Sequence, residues 1–273
     1  MSDPIQIIRE RTRSVRRHIV NMAASGKTGH LGSSLSCADI LAVLYFSIMR
    51  IDPDHWNSLL CDRFILSKGH AAMAWYATLA EAGFFPKERL KTYALNGSLL
   101  GEHPARGLPG VGVSTGSLGH GLPIAAGVAM AQRIDGRETN VFVLISDGEC
   151  NEGSIWETAM WCGHQQLDHL IVFIDDNHMQ ALGPSRQISG LESLSAKWNA
   201  FGWDVFNVDG HDPAALIQTT NEAIARRGKP KVIIARTILG KGVSFMHDNL
   251  LWHYQVPSDS QRQEALAQLE KDA

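Results

Sequence analysis

Two apolar runs, Val141-Phe142-Val143-Leu144-Ile145 and Leu170-Ile171-Val172-Phe173-Ile174, stand out in the hydrophobic pattern of the chain. Each is short, rich in β-branched residues and free of polar interruption, the pattern of a parallel strand covered on both faces. The segment between them, Gly153 to Cys162, has helical composition. A strand–helix–strand unit of this size brings both strand C-termini to one edge of a sheet. Phe64–Leu66, Val205–Val208 and Val232–Ala235 are further strand candidates. Ile8, Val15, Ile19 and Met22 fall near helical spacing among arginines and predict an amphipathic helix from Ile5 to Ala24. A glycine-rich loop, Gly26 to Gly32, breaks it. The next helix is expected over Ala38–Met49, capped by Ser34 or Ser36 and ended by Asp52-Pro53. Helices from Ala71 to Ala82 and from Gly121 to Arg133 follow. Thr92 to Val113 is a long Gly- and Pro-rich stretch with little periodicity, a loop length that usually serves function.

The chain has 273 residues, 44% of them hydrophobic, enough for one large α/β domain spanning 1–273. No repeat or linker divides it. A formal net charge of −3 gives no basis for binding nucleic acid or an anionic membrane. Charged residues, at 19%, are sparse, which fits a chain that buries surface against partners. Cys37, Cys61, Cys150 and Cys162 lack metal-ligand or CxxC spacing and are expected to be reduced core thiols. The start shows no apolar signal segment, and no run spans a bilayer, so a cytoplasmic location is expected.

Asp147-Gly148-Glu149 follows the first strand, and Asn177 follows the second, thirty residues after Asp147. The crossover would bring both to the carboxyl edge of the sheet, where open α/β sheets bind ligands. A carboxylate and an amide carbonyl suit Mg²⁺ or Ca²⁺ beside diphosphate oxygens. They do not suit a metal that prefers nitrogen or sulfur. Of 12 histidines, His30, His70, His103, His120, His211 and His253 lie in loops at element ends. None belongs to a zinc motif, so proton transfer and hydroxyl recognition are the expected roles. Gly116-Ser117-Leu118-Gly119-His120-Gly121 could cradle phosphate, yet it lacks the order and preceding strand of a dinucleotide site. Glu152 and Glu157, at the start of the intervening helix, complement its dipole.

Asp147-Gly148 with Asn177 resembles the signature of thiamine diphosphate enzymes, with Ser146 in place of the usual first Gly. Gly29-His30-Leu31-Gly32, Ser67-Lys68-Gly69-His70-Ala71, Glu102-His103-Pro104 and Trp252-His253 narrow the resemblance to transketolases. The match is to the N-terminal section of a split transketolase. The resemblance implies a three-layer fold, a mostly parallel sheet with helices on both faces, that binds the diphosphate of thiamine diphosphate. It implies Mg²⁺, with Ca²⁺ or Mn²⁺ as substitutes, held by Asp147, Asn177 and the Met179 main-chain carbonyl. Gly116, Leu118, Gly148, Glu149, Asn177 and His70 would contact the cofactor. His30, His70, His103 and His253 would orient a sugar phosphate and move protons. Glu152 and Glu157 match glutamates that link two cofactors across a subunit interface.

The family's second, pyrimidine-binding domain has no counterpart in this sequence. A separate C-terminal subunit is therefore expected to supply it in an α2β2 assembly that moves a two-carbon ketol unit. His120, Leu239 and Tyr254 depart from the family's usual Gln, Lys and Gly and leave the donor sugar open. Two other readings share the metal signature or the fold: a 2-oxoacid dehydrogenase α subunit and a non-catalytic regulatory subunit. Neither accounts for the four histidine segments.

Overall fold

A computed structural model describes residues 3–190 and 193–271. Its centre is a five-stranded, wholly parallel sheet in the order β1-β2-β3-β7-β6. The strands are β1 (Arg63–Leu66), β2 (Val141–Ser146), β3 (Leu170–Asp176), β6 (Asp204–Asp209) and β7 (Lys231–Arg236). A two-stranded antiparallel ribbon, β4 (Met179–Gln180) and β5 (Gly183–Pro184), follows β3. Every residue of β2 and β3 is buried. Successive side chains point to opposite faces, so Phe142, Leu144, Ile171 and Phe173 enter one core while Val141, Val143, Ile145, Leu170 and Val172 enter another.

The first core receives α1 (Pro4–Gly26), α2 (Leu31–Ser36), α3 (Ala38–Val43), α4 (Ala72–Glu81) and α9 (Pro213–Ala225). The second receives α5 (Gly121–Ile134), α6 (Gly153–Gln165) and α8 (Leu194–Ala200). A short α7 (Ser185–Ser189) follows the ribbon, and α10 (Asp259–Lys271) packs against α1. This is the three-layer arrangement expected from the sequence. All four cysteines are free and buried. No helix among the described residues is long and apolar enough to cross a membrane.

The expected strands and long helices lie where the pattern puts them, with ends shifted by at most three residues. The region after α1 differs. Leu31–Ser36 is itself helical, and Ser34 and Ser36 lie buried inside it rather than capping the next helix. The chain then passes through α3 and a π-helical turn, Leu44–Ile48, before Met49 becomes extended. Small residues let α2 sit deep: a Cβ on Gly32 would stand 3.0 Å from Leu239 Cγ. α9 is capped by Asp212, whose carboxylate accepts from Ala214 N (2.9 Å) and Ala215 N (3.3 Å).

Candidate active site

Because all five strands run parallel, their C-termini share one edge, and the chemistry-bearing residues lie in the turns leaving it. β1 runs into Ser67-Lys68-Gly69-His70, β2 into Asp147-Gly148-Glu149, and β3 into Asn177. Register places Ser146 beside Asp175, so Asp147 and Asn177 leave adjacent strands within one turn of each other. Glycine lets the surrounding loops close over this edge. A Cβ on Gly69 would lie 2.8 Å from Gly116 N, and one on Gly121 would lie 2.4 Å from the Ser67 side chain. Neither distance leaves room for an added atom.

Three imidazoles meet here. Ring centroids of His30 and His70 are 5.2 Å apart, those of His30 and His253 5.3 Å, and those of His70 and His253 5.9 Å. His30 sits at the start of α2 with φ 62°, a left-handed conformation that a histidine rarely adopts. The conformation is held by His30 N donating to His253 O (2.8 Å) and by Ser34 N donating to His30 O (3.1 Å). His70 Nε2 bonds Ser33 Oγ at 2.9 Å. Nδ1 of His30 and Nδ1 of His253 are buried and without a partner. Burial pushes the His30 pKa down to about 4, helped by the His253 and His103 rings and by Lys68. Burial likewise lowers His70 and His253, with Lys68 adding to the effect. All three imidazoles are therefore neutral at pH 7.

His103 is exposed, and its ring lies against Gly116, whose added Cβ would be 3.3 Å from His103 Cδ2. Its main-chain carbonyl accepts from Tyr76 Oη at 3.2 Å. Tyr254 packs on His253 (4.9 Å between centroids) and His30 (5.6 Å), with 59% of its surface open. Leu239, by contrast, is fully buried against Gly32 and presents nothing to a ligand. His120 is exposed at the start of α5, with Nδ1 3.1 Å from Leu118 O, and Leu118 is half-buried. His211 lies elsewhere, between Asp39 and the backbone of Ile238.

On the metal side, Asp147 Oδ2 accepts from Ser185 Oγ (2.5 Å), while Asp147 Oδ1 is buried with no partner. Burial raises this carboxyl to about 7, opposed by Ser185 and reinforced by Asp176 and Asp175. Among the described residues, Asn177 Oδ1 accepts only from Met179 N, at 3.1 Å. An orphaned buried carboxylate oxygen beside an amide oxygen fits a hard divalent cation. Asp147, Asp176 and His178 also offer ligand atoms within 4.8 Å of one another. In that group, however, Asp176 Oδ1 already pairs with His178 Nδ1 at 3.1 Å. Gly148 gives close passage to the ribbon, since a Cβ there would be 2.8 Å from Gln180 Cβ. Glu149 is fully buried beneath the glycine loop. Its carboxylate accepts from Ser67 Oγ (2.5 Å), Gly119 N (2.8 Å) and Ser146 N (3.4 Å). It fastens the loop to the ends of β1 and β2. Glu152 and Glu157 are exposed.

A buried network not evident in the sequence joins the two sides. Lys68 Nζ donates to Asp175 Oδ2 (2.5 Å) and Ser33 O (3.1 Å). Asp175 also accepts from Ser36 Oγ (2.6 Å), Thr237 Oγ1 (2.5 Å) and Asn177 Nδ2 (3.4 Å). Burial opposes the Lys68 charge, but Asp175 outweighs it and holds the ammonium protonated. Ser33 and Ser36 of α2 thus tie His70 on one side to Asn177 on the other.

Residues 8–255 match the family model for the thiamine diphosphate binding domain of transketolase. The chain is 41% identical to one of the subunits of apulose-4-phosphate transketolase from Phocaeicola vulgatus, over 93% of this chain and 90% of that protein. It is 43% identical to a 6-deoxy-6-sulfo-D-fructose transketolase subunit of a Clostridium species, over 89% of each. Its fold superposes on a transketolase of Campylobacter jejuni with a TM-score of 0.91 at 28% identity. That match covers 99% of this chain but only 43% of the solved one, so the chain spans less than half of the longer transketolase. The chain belongs to the transketolase family, and corresponds to the thiamine diphosphate-binding N-terminal part of its members.

Proposed function

We propose that this chain is the diphosphate- and metal-binding subunit of a split transketolase, moving a two-carbon ketol unit from a ketose phosphate to an aldose. The observation that carries this reading is the trio of neutral imidazoles, His30, His70 and His253, gathered at the sheet edge that also bears Asp147 and Asn177. Bound thiamine diphosphate supplies the carbanionic nucleophile that cleaves and reforms the carbon–carbon bond. Asp147, Asn177 and the Met179 carbonyl would hold Mg²⁺ against the diphosphate, an all-oxygen set suited to a hard ion. The His178 imidazole, more suited to a transition metal, stays outside it. Gly116, Leu118, Gly148 and His70 would line the cofactor, and Glu149 would hold the loop that carries the first two.

His30 and His253, whose rings meet that of His70, would bond hydroxyl and carbonyl oxygens of the donor. Neutral imidazoles can take a proton from a hydroxyl and return it without first losing one to solvent. His103, at the exposed rim, would complete the grip. Relatives named as acting on apulose 4-phosphate and 6-deoxy-6-sulfofructose support a ketose carrying an anionic group as donor. Their naming as subunits supports a separate partner subunit; in this reading that partner carries the pyrimidine-binding C-terminal domain, and two copies of each chain assemble in the cytoplasm.

Quenching of tryptophan fluorescence by thiamine diphosphate and Mg²⁺, followed in the complex with that partner, tests the assignment. Asp147→Ala is expected to weaken metal-dependent binding at least 100-fold, and His178→Ala to leave it within about threefold. His253→Ala should bind the cofactor normally yet lose ketol transfer. Unchanged binding by Asp147→Ala would remove the metal site from this edge.

A further inference from the structure

Tyr254 follows His253 directly and leaves 59% of its surface open. Among the described residues, Trp161 is the only other aromatic side chain of the exposed class. Yet the backbone of Tyr254 is closely fixed. Its N donates to Leu251 O at 3.1 Å and closes the short helical turn Leu250–His253. Gly29 packs on its main chain, for a Cβ there would stand 2.9 Å from Tyr254 O and 3.0 Å from Tyr254 Cα. One residue further, His30 N donates to His253 O at 2.8 Å. The turn that carries the phenol is thus clamped to the loop that carries His30.

The ring is held as well. It tilts by 48° against the His253 ring, with centroids 4.9 Å apart, and meets the His30 ring edge-on at 5.6 Å. His253 itself is only 8% exposed. An open aromatic face therefore borders the imidazole trio. Tyrosine suits such a place because it orders only two side-chain torsions and gives a large, rigid contact area. Its ring accepts the C–H groups of a sugar chain, and its hydroxyl can bond the sugar oxygens.

We infer that Tyr254 is a specificity-determining residue of the donor site, its ring forming a wall for the C–H face of the ketose while His30 and His253 hold its oxygens. The inference rests on the ketol-transfer reading and deepens it. The donor would be an open-chain polyhydroxy ketose, chosen by its fit to this ring as well as by its anionic group. Apolar contacts that differ by one methylene separate substrates by roughly 10- to 200-fold. A wall touched in both the ground state and the transition state acts on KM more than on kcat.

The test uses the complex with the partner subunit, saturated with thiamine diphosphate and Mg²⁺. Both kcat and KM are measured for the two fastest donors among xylulose 5-phosphate, fructose 6-phosphate, apulose 4-phosphate and 6-deoxy-6-sulfofructose. Tyr254→Ala is expected to change the ratio of the two kcat/KM values at least fivefold, mainly through KM. Tyr254→Phe, which keeps the ring, should hold that ratio within twofold. Quenching of tryptophan fluorescence by the cofactor should be unchanged in both variants, which also reports that they are folded. A ratio changed less than fivefold in Tyr254→Ala, an equal fall in kcat for both donors, lost cofactor binding, or as large a change in Tyr254→Phe would overturn this inference alone. No turnover of any donor by the unaltered complex would overturn the ketol-transfer reading, and this inference with it.

Discussion

At the scale of single residues, the site is marked by polar atoms buried without partners: Asp147 Oδ1, His30 Nδ1 and His253 Nδ1. Such atoms cost stability unless something binds them. The lowered imidazole pKa values make part of that cost visible. Folded, His30 titrates near 4; unfolded, near 6.5. Between those limits the unfolded chain binds more protons, so stability falls as pH drops through this window. The thermal midpoint is expected to decline from pH 7 to pH 4.5, and less steeply in His30→Asn, which keeps a residue tolerant of the left-handed backbone. Equal slopes in the two proteins would contradict burial of a neutral His30. Asp175→Ala should cost about 3–5 kcal/mol in chemical denaturation, because it strands the buried Lys68 ammonium. Lys68→Met/Asp175→Leu should recover part of that loss. Most of the histidines were legible in the sequence because they follow Gly or border Pro at an element end, as His30, His70 and His103 do; His253, between Trp252 and Tyr254, was legible only through the family resemblance. The Lys68–Asp175 pair was not: a lysine in a turn and an aspartate ending a strand look like ordinary surface residues until the fold buries them together.

At the scale of elements, strands β2 and β3 were legible because burial on both faces demands an unbroken apolar run. The helix α2 was hidden. Its Gly-Ser-Ser-x-Ser composition reads as loop and cap, and its helicity depends on tertiary contacts: Leu31 and Leu35 in the core, Ser33 and Ser36 in the polar network. Propensity is overridden where packing supplies the energy. Close approaches were likewise invisible. A Cβ on Gly163 of α6 would fall 1.8 Å from Phe201 O. Gly163→Ala is therefore expected to cost at least about 1–3 kcal/mol through a forced backbone shift, even though alanine is the better helix former. A thermal midpoint equal to or above that of the parent chain would show that α6 and the turn after α8 do not meet as described. At Tyr254 the sequence signalled a departure, and the structure gives it a place, its exposed ring tilted against that of His253. Leu239 carried the same signal, but it is a core residue.

At the scale of the whole molecule, the parallel sheet gathers the candidate metal ligands and the imidazoles on one edge, beneath the loops that leave its strands. The family assignment rests on the full length of the sheet and its loops, residues 8–255, and not on one motif. The donor sugar was not legible, since the groups that would grip its far end are expected on the partner subunit. The central claim is that this chain carries half of a ketol-transferase site. The most direct test is transfer from xylulose 5-phosphate, apulose 4-phosphate and 6-deoxy-6-sulfofructose to an aldose acceptor. Thiamine diphosphate and Mg²⁺ would be present, and the chain assayed alone and mixed with its pyrimidine-binding partner. Turnover of at least one donor only in the mixture, abolished by Asp147→Ala in this chain, is the expected result. Full turnover by this chain alone, or none of any donor in a complex that binds the cofactor, would contradict it.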